Sequence, residues 1–472
     1  MSEGYVHGIV IKEGTGEVRA IKSPSPYVIA LVGTAPAASA KVLAEETPTV
    51  FFKRKDALKA VYPEGTKGDL GTLYSAVDSA FSQTEATVIL IKSKSDSDAD
   101  VISAIGKLED AESLTGYKPK IIAAPGFGNK NPPAEVKPNP QPEKKEEEKK
   151  EEEKKEEGAT EEPKPEGPVT RNVNNRPRNS QPVQPASNTK PSEGGSAAAD
   201  AQKTEVVRDA KAEETISNPI AAKLKELAVR LGAIICQETP DLSAGSDPLS
   251  DIQKFRNANG GDRVYLVAPK VKWAAPDGLI KNVPGAAAVA GIFARIDFWK
   301  SPSNQELYGV LGTEKPVPFA LDDPQSLGQR MNAIQVSTFV RQDGLRLWGA
   351  RGSGDPTDLT TNQIQKVRIR DAIREAIIAS HRWAIAMGIT TNLFEAVAGG
   401  VNAYLDDLAQ KGAIAGGKCI PDTEQNTPAN LNDGKVFWTY DFTPTPVAET
   451  LHFTEVLTDK YLEGLGAAGA AA

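Results

Sequence analysis

Cysteine, histidine and aromatic residues are scarce in this 472-residue chain: two Cys, three His, five Trp and an aromatic fraction of 6%. Cys236 and Cys419 are too few and too far apart for a secreted disulfide framework. Both read as reduced thiols of a soluble protein made in a reducing compartment. His7, His381 and His452 are widely separated, and no His/Cys/Asp group has the spacing of metal ligands. No local motif pairs either thiol with a histidine, so each cysteine is read as a buried structural residue. Carboxylates are plentiful, but no pair stands apart as acid and base. These absences argue against an enzyme, and no cofactor or metal is expected. No apolar run approaches the ~20 residues of a membrane span, and MSEGYVHG lacks a signal-peptide core, so no membrane insertion is expected. A charge excess is missing too, once one stretch is set aside. Glu143–Glu166 holds 12 Glu and 7 Lys, net −5 of the chain's −8. The near-neutral remainder gives no argument for nucleic acid or an anionic membrane as partner.

That stretch lies in a longer one. From Gly128 to Glu205 the only sizeable apolar residues are Val136, Val169, Val173 and Val183. Such a segment cannot bury enough surface to offset its ordering entropy and is expected to be disordered. Glu146–Lys150 and Glu151–Lys155 are favourable i,i+4 pairs, enough for transient helix but not for a packed face. Its flanks are ordinary folded sequence. ATVILIKS (86–93) is a continuous apolar run of strand type. DADVISAIGKLEDAES has helical spacing at Val101, Ile102, Ile105 and Leu108, and KPKIIAAPGF is a short buried strand. After the insert, NPIAAKLKELAVRLGA is an amphipathic helix with Asn218 as N-cap and Pro219 at its first position. AIICQE and the longer DRVYLVAPKVKW read as strands, and VPGAAAVAGIFARIDFW as a helix. Alternating elements of this kind indicate an α/β layer structure with a largely parallel sheet. With the insert removed, KIIAAPGF meets SNPIAAKLKEL as a normal strand–loop–helix unit, so the insert reads as a loop expansion inside one domain. In the last third, TNQIQKVRIRDAIREAIIASHRWAIAM carries a long helix. NLFEAVAGGVNAYLDDLAQKG carries a second, with Asn392 as N-cap, Glu395 three residues on and Gly412 as its stop. GKVFWTYDFTPT and AETLHFTEVLTD read as strands.

Two motifs imitate nucleotide sites. GLGAAG (464–469) matches G-x-G-x-x-G but has no strand before it and no helix of usable length after it. GAIAGGKC (412–419) is one residue from a P-loop, with Cys419 where Ser or Thr is required, a helix in place of the preceding strand, and Pro421 close behind. Neither is read as a site. Lys366, Arg370 and Arg374 stack at i,i+4 on one helix face, preceded by Arg341, Arg346 and Arg351. The plain reading is a solvated face with Asp371 and Glu375 as local partners. The sharper one is a basic strip that meets an acidic partner surface.

SPSNQELYGVLG, VRQDGLRLWGARG, HRWAIAMGITTNLFEAVAGGVNAYLDDLAQKGAIAGGKC and NTPANLNDGKVFWTYDFTPTPVAETLHFTEVLTDKYL resemble the tail sheath proteins of contractile-tailed bacteriophages. So do HGIVIKEGTGEVRAIKSPSPYVIALVGTAP near the N-terminus and KPKIIAAPGF in the middle. The blocks occur in family order and cover nearly the whole chain outside Asn129–Ser217. The resemblance implies a structural subunit that stacks as homo-hexameric rings, helically, around an inner tail tube protein. Contraction then drives the tube through the host envelope for genome ejection. Baseplate and tail terminator proteins are the other implied partners, with no direct nucleic-acid contact. The implied location is the virion tail sheath, assembled in host cytoplasm. A non-viral contractile injection system or bacteriocin is the neighbouring alternative, and an α/β enzyme with a disordered insert is the alternative from another class.

The expected architecture is α/β (α+β overall): an α/β layered domain plus a C-terminal helix-and-strand sheath domain, with extended N- and C-terminal arms. Residues 1–24 form the N-terminal arm, 25–128 and 218–325 the two parts of the α/β domain, and 129–217 the insert. Residues 326–445 form the sheath domain and 446–472 the C-terminal arm and tail. In this family both arms add strands to neighbouring subunits. The residues fit that role: Tyr5, His7, Ile9 and Ile11 share one strand face, as do Leu451, Phe453 and Leu457. Apolar strand-like termini are awkward on a monomer and natural as β-augmentation arms. The strip Lys366, Arg370, Arg374 is then expected to face the tube.

Overall fold

The computed structural model describes residues 21, 27–131, 217–244 and 247–460. The N-terminal arm residues Tyr5, His7, Ile9 and Ile11, the Glu/Lys block and the GLGAAG tail lie outside the described residues.

In chain order the elements begin with β1 (Ile29–Gly33), β2 (Thr49–Phe51), α1 (Arg54–Val61), α2 (Gly71–Phe81), β3 (Val88–Lys92), α3 (Asp98–Gly106), α4 (Ala111–Thr115) and β4 (Ile121–Ala123). Past the insert come α5 (Pro219–Leu231), β5 (Ile234–Glu238), α6 (Ser250–Asn259), β6 (Val264–Ala268), β7 (Val271–Ala274), β8 (Ile280–Val283), α7 (Ala286–Arg295), β9 (Gln305–Glu306), β10 (Gly312–Thr313), α8 (Leu327–Ala333), β11 (Val336–Arg341) and β12 (Leu345–Trp348). The C-terminal region adds α9 (Ile364–Ser380), α10 (Thr391–Gln410), β13 (Ile414–Pro421), α11 (Pro428–Asn432) and β14 (Trp438–Pro444).

The continuous apolar strands are buried on both faces, which is why they do not alternate. One sheet runs β2-β3-β1-β4-β5-β6-β11-β12-β9, and its centre from β3 to β11 is parallel. Along β1, Ile29 and Leu31 enter the core shared with α1, α2 and α7, while Ala30 and Val32 enter the core under α3, α5, α6 and α8. Along β5, Ile234 and Cys236 face the first core and Ile235 the second. This is the α/β layered architecture expected from the alternating pattern. The contact of α7 on α2 is close because Gly291 sits there: a Cβ would lie 2.5 Å from the Ala80 carbonyl oxygen.

The two ends of the insert meet in this sheet. β4 precedes it, and α5 and β5 follow it; β4 and β5 are neighbouring strands. Asn218 joins the ends with one side chain. Its Oδ1 accepts from the backbone N–H groups of Ile220 and Ala221, capping α5, while its Nδ2 donates to the Lys130 carbonyl at 3.0 Å. Asn259 Oδ1 accepts from Asn218 N at 2.8 Å, anchoring the junction to α6.

Several expectations change. DRVYLVAPKVKW is two strands rather than one. Pro269 has no N–H for a ladder, β6 stops at Ala268, and β7 joins a separate three-stranded sheet with β8 and β10. The division expected at residue 326 falls inside the main sheet, because β11 pairs with β6 and β12 with β11. The cap of α10 is Thr390, whose hydroxyl accepts from Leu393 N, and not Asn392, which lies within the helix. AETLHFTEVLTD forms no strand on its own chain. An extended segment with nothing to pair with gains no ladder hydrogen bonds.

Candidate assembly surface

The C-terminal elements have their own apolar core. Ile369, Ile373 and Ala376 of α9 pack with Val401, Leu405 and Leu408 of α10, and with Ile414 and Cys419 of β13. Trp438, Tyr440 and Phe442 of β14 close over it, and Ile21, the first described residue, packs against the same cluster.

Near-P-loop residues 412–419 form no phosphate cradle. Gly412 (φ +75°) ends α10, and the residues after it run straight into β13, antiparallel to β14. Gly417 has a packing reason instead: a Cβ there would lie 2.7 Å from the Asp441 carbonyl oxygen. Both thiols are buried, and burial pushes each above its ordinary pKa, leaving inert residues. A cleft of about 760 Å³ opens at the carboxyl ends of β1, β3 and β4, where α/β sheets commonly take ligands. Two of its three cations are already engaged: Lys92 lies 3.4 Å from Glu45, and Lys94 3.0 Å from Glu46. Among the described residues no His/Cys/Asp/Glu cluster could hold a metal.

Helix α9 has two electrically different faces. The inner face meets the amino ends of the parallel strands. Arg263, just before β6, pairs bidentately with Asp371, and Arg263 Nη2 donates to Asp371 Oδ1 at 2.9 Å. Lys120, just before β4, pairs with Glu375 at 2.6 Å. Burial pulls the Lys120 ammonium below its ordinary pKa, and Glu375 opposes that shift. Arg368 is buried, donates to the Phe293 carbonyl at 2.9 Å and lies 5.1 Å over the Phe293 ring. Desolvation drops its pKa to about 10.

Asp371 and Glu375 make their closest contacts with Arg263 and Lys120, and of the strip only Arg370 keeps one of them, Asp371, as the local partner that the plain reading required. They point inward. On the outer face Lys366 donates to the Leu359 carbonyl and to Asn362 Oδ1, and Arg370 Nε lies 3.8 Å from Asp371. Arg374 is exposed and makes no ion pair among the described residues. Lys366, Arg370 and Arg374 do share one face. The earlier arginines do not join them: Arg341 donates to the Leu311 carbonyl and Arg346 to the Asn304 carbonyl, both on the β11–β12 hairpin. Arg351 pairs with Glu449 at 2.7 Å.

The ribbon of β13 and β14 has no third strand among the described residues. On the outer side of β13, Asn402 of α10 substitutes for one at a single position. Its Oδ1 accepts from Cys419 N at 2.6 Å, and its Nδ2 donates to the Cys419 carbonyl at 2.9 Å. Among the described residues no strand lies beyond β14. The following chain is in no helix or strand and becomes fully exposed, with Leu451 at 71% and Phe453 and Leu457 at 90% of full accessibility. Such exposure of large apolar side chains makes this segment a candidate interaction surface. Sequence reasoning missed Arg263, Gln363, Asn402 and Glu449, whose partners are distant in the chain and carry no local signal.

Comparison with known proteins places these features. Residues 357–458 match the family described as phage tail sheath C-terminal domain. A prophage major tail sheath protein of Pseudomonas aeruginosa strain UCBPP-PA14 is 33% identical over 248 residues, covering 52% of this chain and 62% of that protein. The tail sheath protein of Escherichia phage P2 is 30% identical over 251 residues, covering 51% and 62%. The chain thus spans less than two thirds of the length of the curated relatives it matches. Solved structures share the fold at low identity. One is from the sheath complex of the extracellular contractile injection system PVC in its contracted state, with TM-score 0.60, 13% identity and coverage of 98% of this chain and 100% of that one. Another is from the anti-feeding prophage baseplate, with TM-score 0.58, 16% identity and coverage of 97% and 100%. The chain is a relative of the tail sheath proteins.

Proposed function

We propose that this relative of the phage tail sheath proteins is itself a sheath subunit. It polymerises with copies of itself as stacked hexameric rings around an inner tail tube, and contraction of that polymer drives the tube through a host envelope. The observation that carries this reading is the pairing of an open ribbon edge with an unpartnered apolar arm in one chain. Among the described residues no strand pairs with the far edge of β14, and Leu451, Phe453 and Leu457 are exposed apolar side chains on a segment that forms no strand of its own. An arm that cannot pair at home and an edge that lacks a strand fit head-to-tail β-augmentation between copies. The N-terminal arm, with Tyr5, His7, Ile9 and Ile11, is the second donor. Flexible donated strands keep subunits linked while their bodies rotate.

The tube contact in this reading is the strip Lys366, Arg370, Arg374 on the outer face of α9, where Arg374 is exposed and the nearby Asp371 and Glu375 are held more closely by Arg263 and Lys120 than by the strip. Baseplate and terminator proteins bound the polymer at its ends, and the assembled protein resides in the tail after assembly in host cytoplasm. The chemistry is structural and uses no cofactor. The likeness in fold to non-viral injection systems supports a second reading, a sheath of such a machine; capsid and terminase genes beside this one would separate the two. The test of the main reading is polymerisation of the purified chain, followed by electron microscopy. The full chain is expected to form tubes. Deleting Tyr5–Ile11 or Leu451–Leu457 is expected to abolish them, and normal tubes from both deletions would overturn the arm model.

A further inference from the structure

The C-terminal extension does not become free where β14 ends. Thr445 N donates to the Ala413 carbonyl, and the next four residues are held by two side chains of the body. The first is Gln363, the buried residue that precedes α9. Its Oε1 accepts from Val447 N at 3.1 Å, while its Nε2 donates to the Val447 carbonyl at 3.0 Å and to Glu449 Oε1 at 2.5 Å. One carboxamide thus supplies Val447 with both bonds that a neighbouring strand would supply. Gln365 Nε2 donates to the same Oε1 and fixes the amide's orientation. The second is Arg351, whose Nε donates to Glu449 Oε2 at 2.7 Å. The two grips are themselves held side by side, because Arg351 and Gln363 form an antiparallel backbone bridge and Ile364 N donates to the Ala350 carbonyl. No residue from 445 to 449 is fully buried, and only Thr445 and Val447 are half-buried, so the polar contacts are the specific holds on this stretch. From Thr450 to Lys460 every residue is exposed.

We infer that Gln363, Arg351 and Glu449 form a polar latch that fixes the root of the C-terminal arm, so that its donated part begins at Thr450 with a set length and direction. This inference rests on the sheath reading for its purpose, but the latch itself does not. A donated strand must arrive at its acceptor in one register, since a slip of one residue turns every side chain to the wrong face. A root tethered at residue 444 instead of 449 would leave five more loose residues and a wider range of arrival points. Pairing between partly exposed charges weakens in salt, which makes the latch reversible and sensitive to ionic strength.

The test is hydrogen exchange on the unpolymerised full chain, with polymerisation measured in parallel by sedimentation. Val447 N–H is expected to be protected in the parent chain and to lose protection at least tenfold in Gln363→Ala. Amides of the central strands, such as Ile235 and Leu266, should be unchanged, which separates latch opening from unfolding. Gln363→Ala combined with Arg351→Ala is expected to raise the concentration needed for polymerisation about tenfold, while Arg351→Lys restores it toward the parent value. An unprotected Val447 in the parent chain would remove the latch. Lost protection with unchanged polymerisation would remove its role in aiming the arm. A parent chain that shows the protected Val447 and never polymerises would refute the sheath reading and leave the latch standing.

Discussion

Glu238 caps a helix from another element. It is buried at the end of β5 and accepts from Ala286 N at 2.9 Å, at the start of α7, where Gly285 offers no side-chain cap. Helix N-termini favour negative charge, yet burial without an ion pair among the described residues outweighs this and pushes the carboxyl up to about 7. The backbone N–H groups of Ala286 and Gly126 oppose the shift, and Lys270, engaged with Asp241, contributes less. The folded state therefore holds this proton more tightly than the unfolded chain, whose Glu titrates near 4.5. The stabilisation is complete below that value and is lost as pH rises through about 7. From pH 4.5 to 8 this group is expected to lower stability by up to about 3 kcal/mol. Urea denaturation across that range should show the decline, and Glu238→Gln should flatten it and exceed the parent chain at pH 8. An unchanged slope in the variant would exclude Glu238 as its source.

At the level of elements, α9 divides its charges between two tasks, and the two are separable by mutation. Arg263 and Asp371 are both about 10% exposed, so removing one leaves the other buried and unpaired. Asp371→Ala is expected to cost about 3–5 kcal/mol, read from denaturant unfolding. Charge reversal of Lys366, Arg370 and Arg374 acts on the outer face, where Arg374 is exposed and Lys366 and Arg370 are half-buried, and where exposed pairs contribute about 0–1 kcal/mol. It should leave the fold in place and weaken tube-dependent assembly. A reversal variant that assembles on tubes like its parent would remove the strip from the interface. The sequence displayed the ridge, because i,i+4 spacing is local. It did not display that Asp371 and Glu375 turn inward, because Arg263 and Lys120 lie 108 and 255 positions away. Asn218 was legible as a cap because capping is local, whereas its grip on Lys130 was not. The same limit explains AETLHFTEVLTD: alternation signals a strand, but among the described residues no stretch of this chain pairs with it.

For the whole molecule, the insert poses a question that its ends can answer. Lys130 and Asn218 are 88 positions apart and hydrogen-bonded at 3.0 Å, and Asn131 Nδ2 donates to the Asp251 carbonyl. Both ends are thus fixed to the body of the sheet by contacts that do not involve the residues between them. β4, α5 and β5 supply their own burial, with Ile121, Ile220, Leu224, Leu227 and Ile235 all in the core. The cost of closing a loop grows only slowly with its length, so shortening the connection changes little on that account. Replacing residues 132–216 by a short Gly/Ser linker is therefore expected to leave stability within about 1 kcal/mol of the parent chain. Cutting further, through Asn218, should add a cost of about 1 kcal/mol for the lost α5 cap and release Lys130 as well. A linker variant that folds but no longer forms tubes would make the insert part of the assembly itself. One that forms normal tubes would place its use elsewhere than in the subunit contacts, as the pinned ends predict.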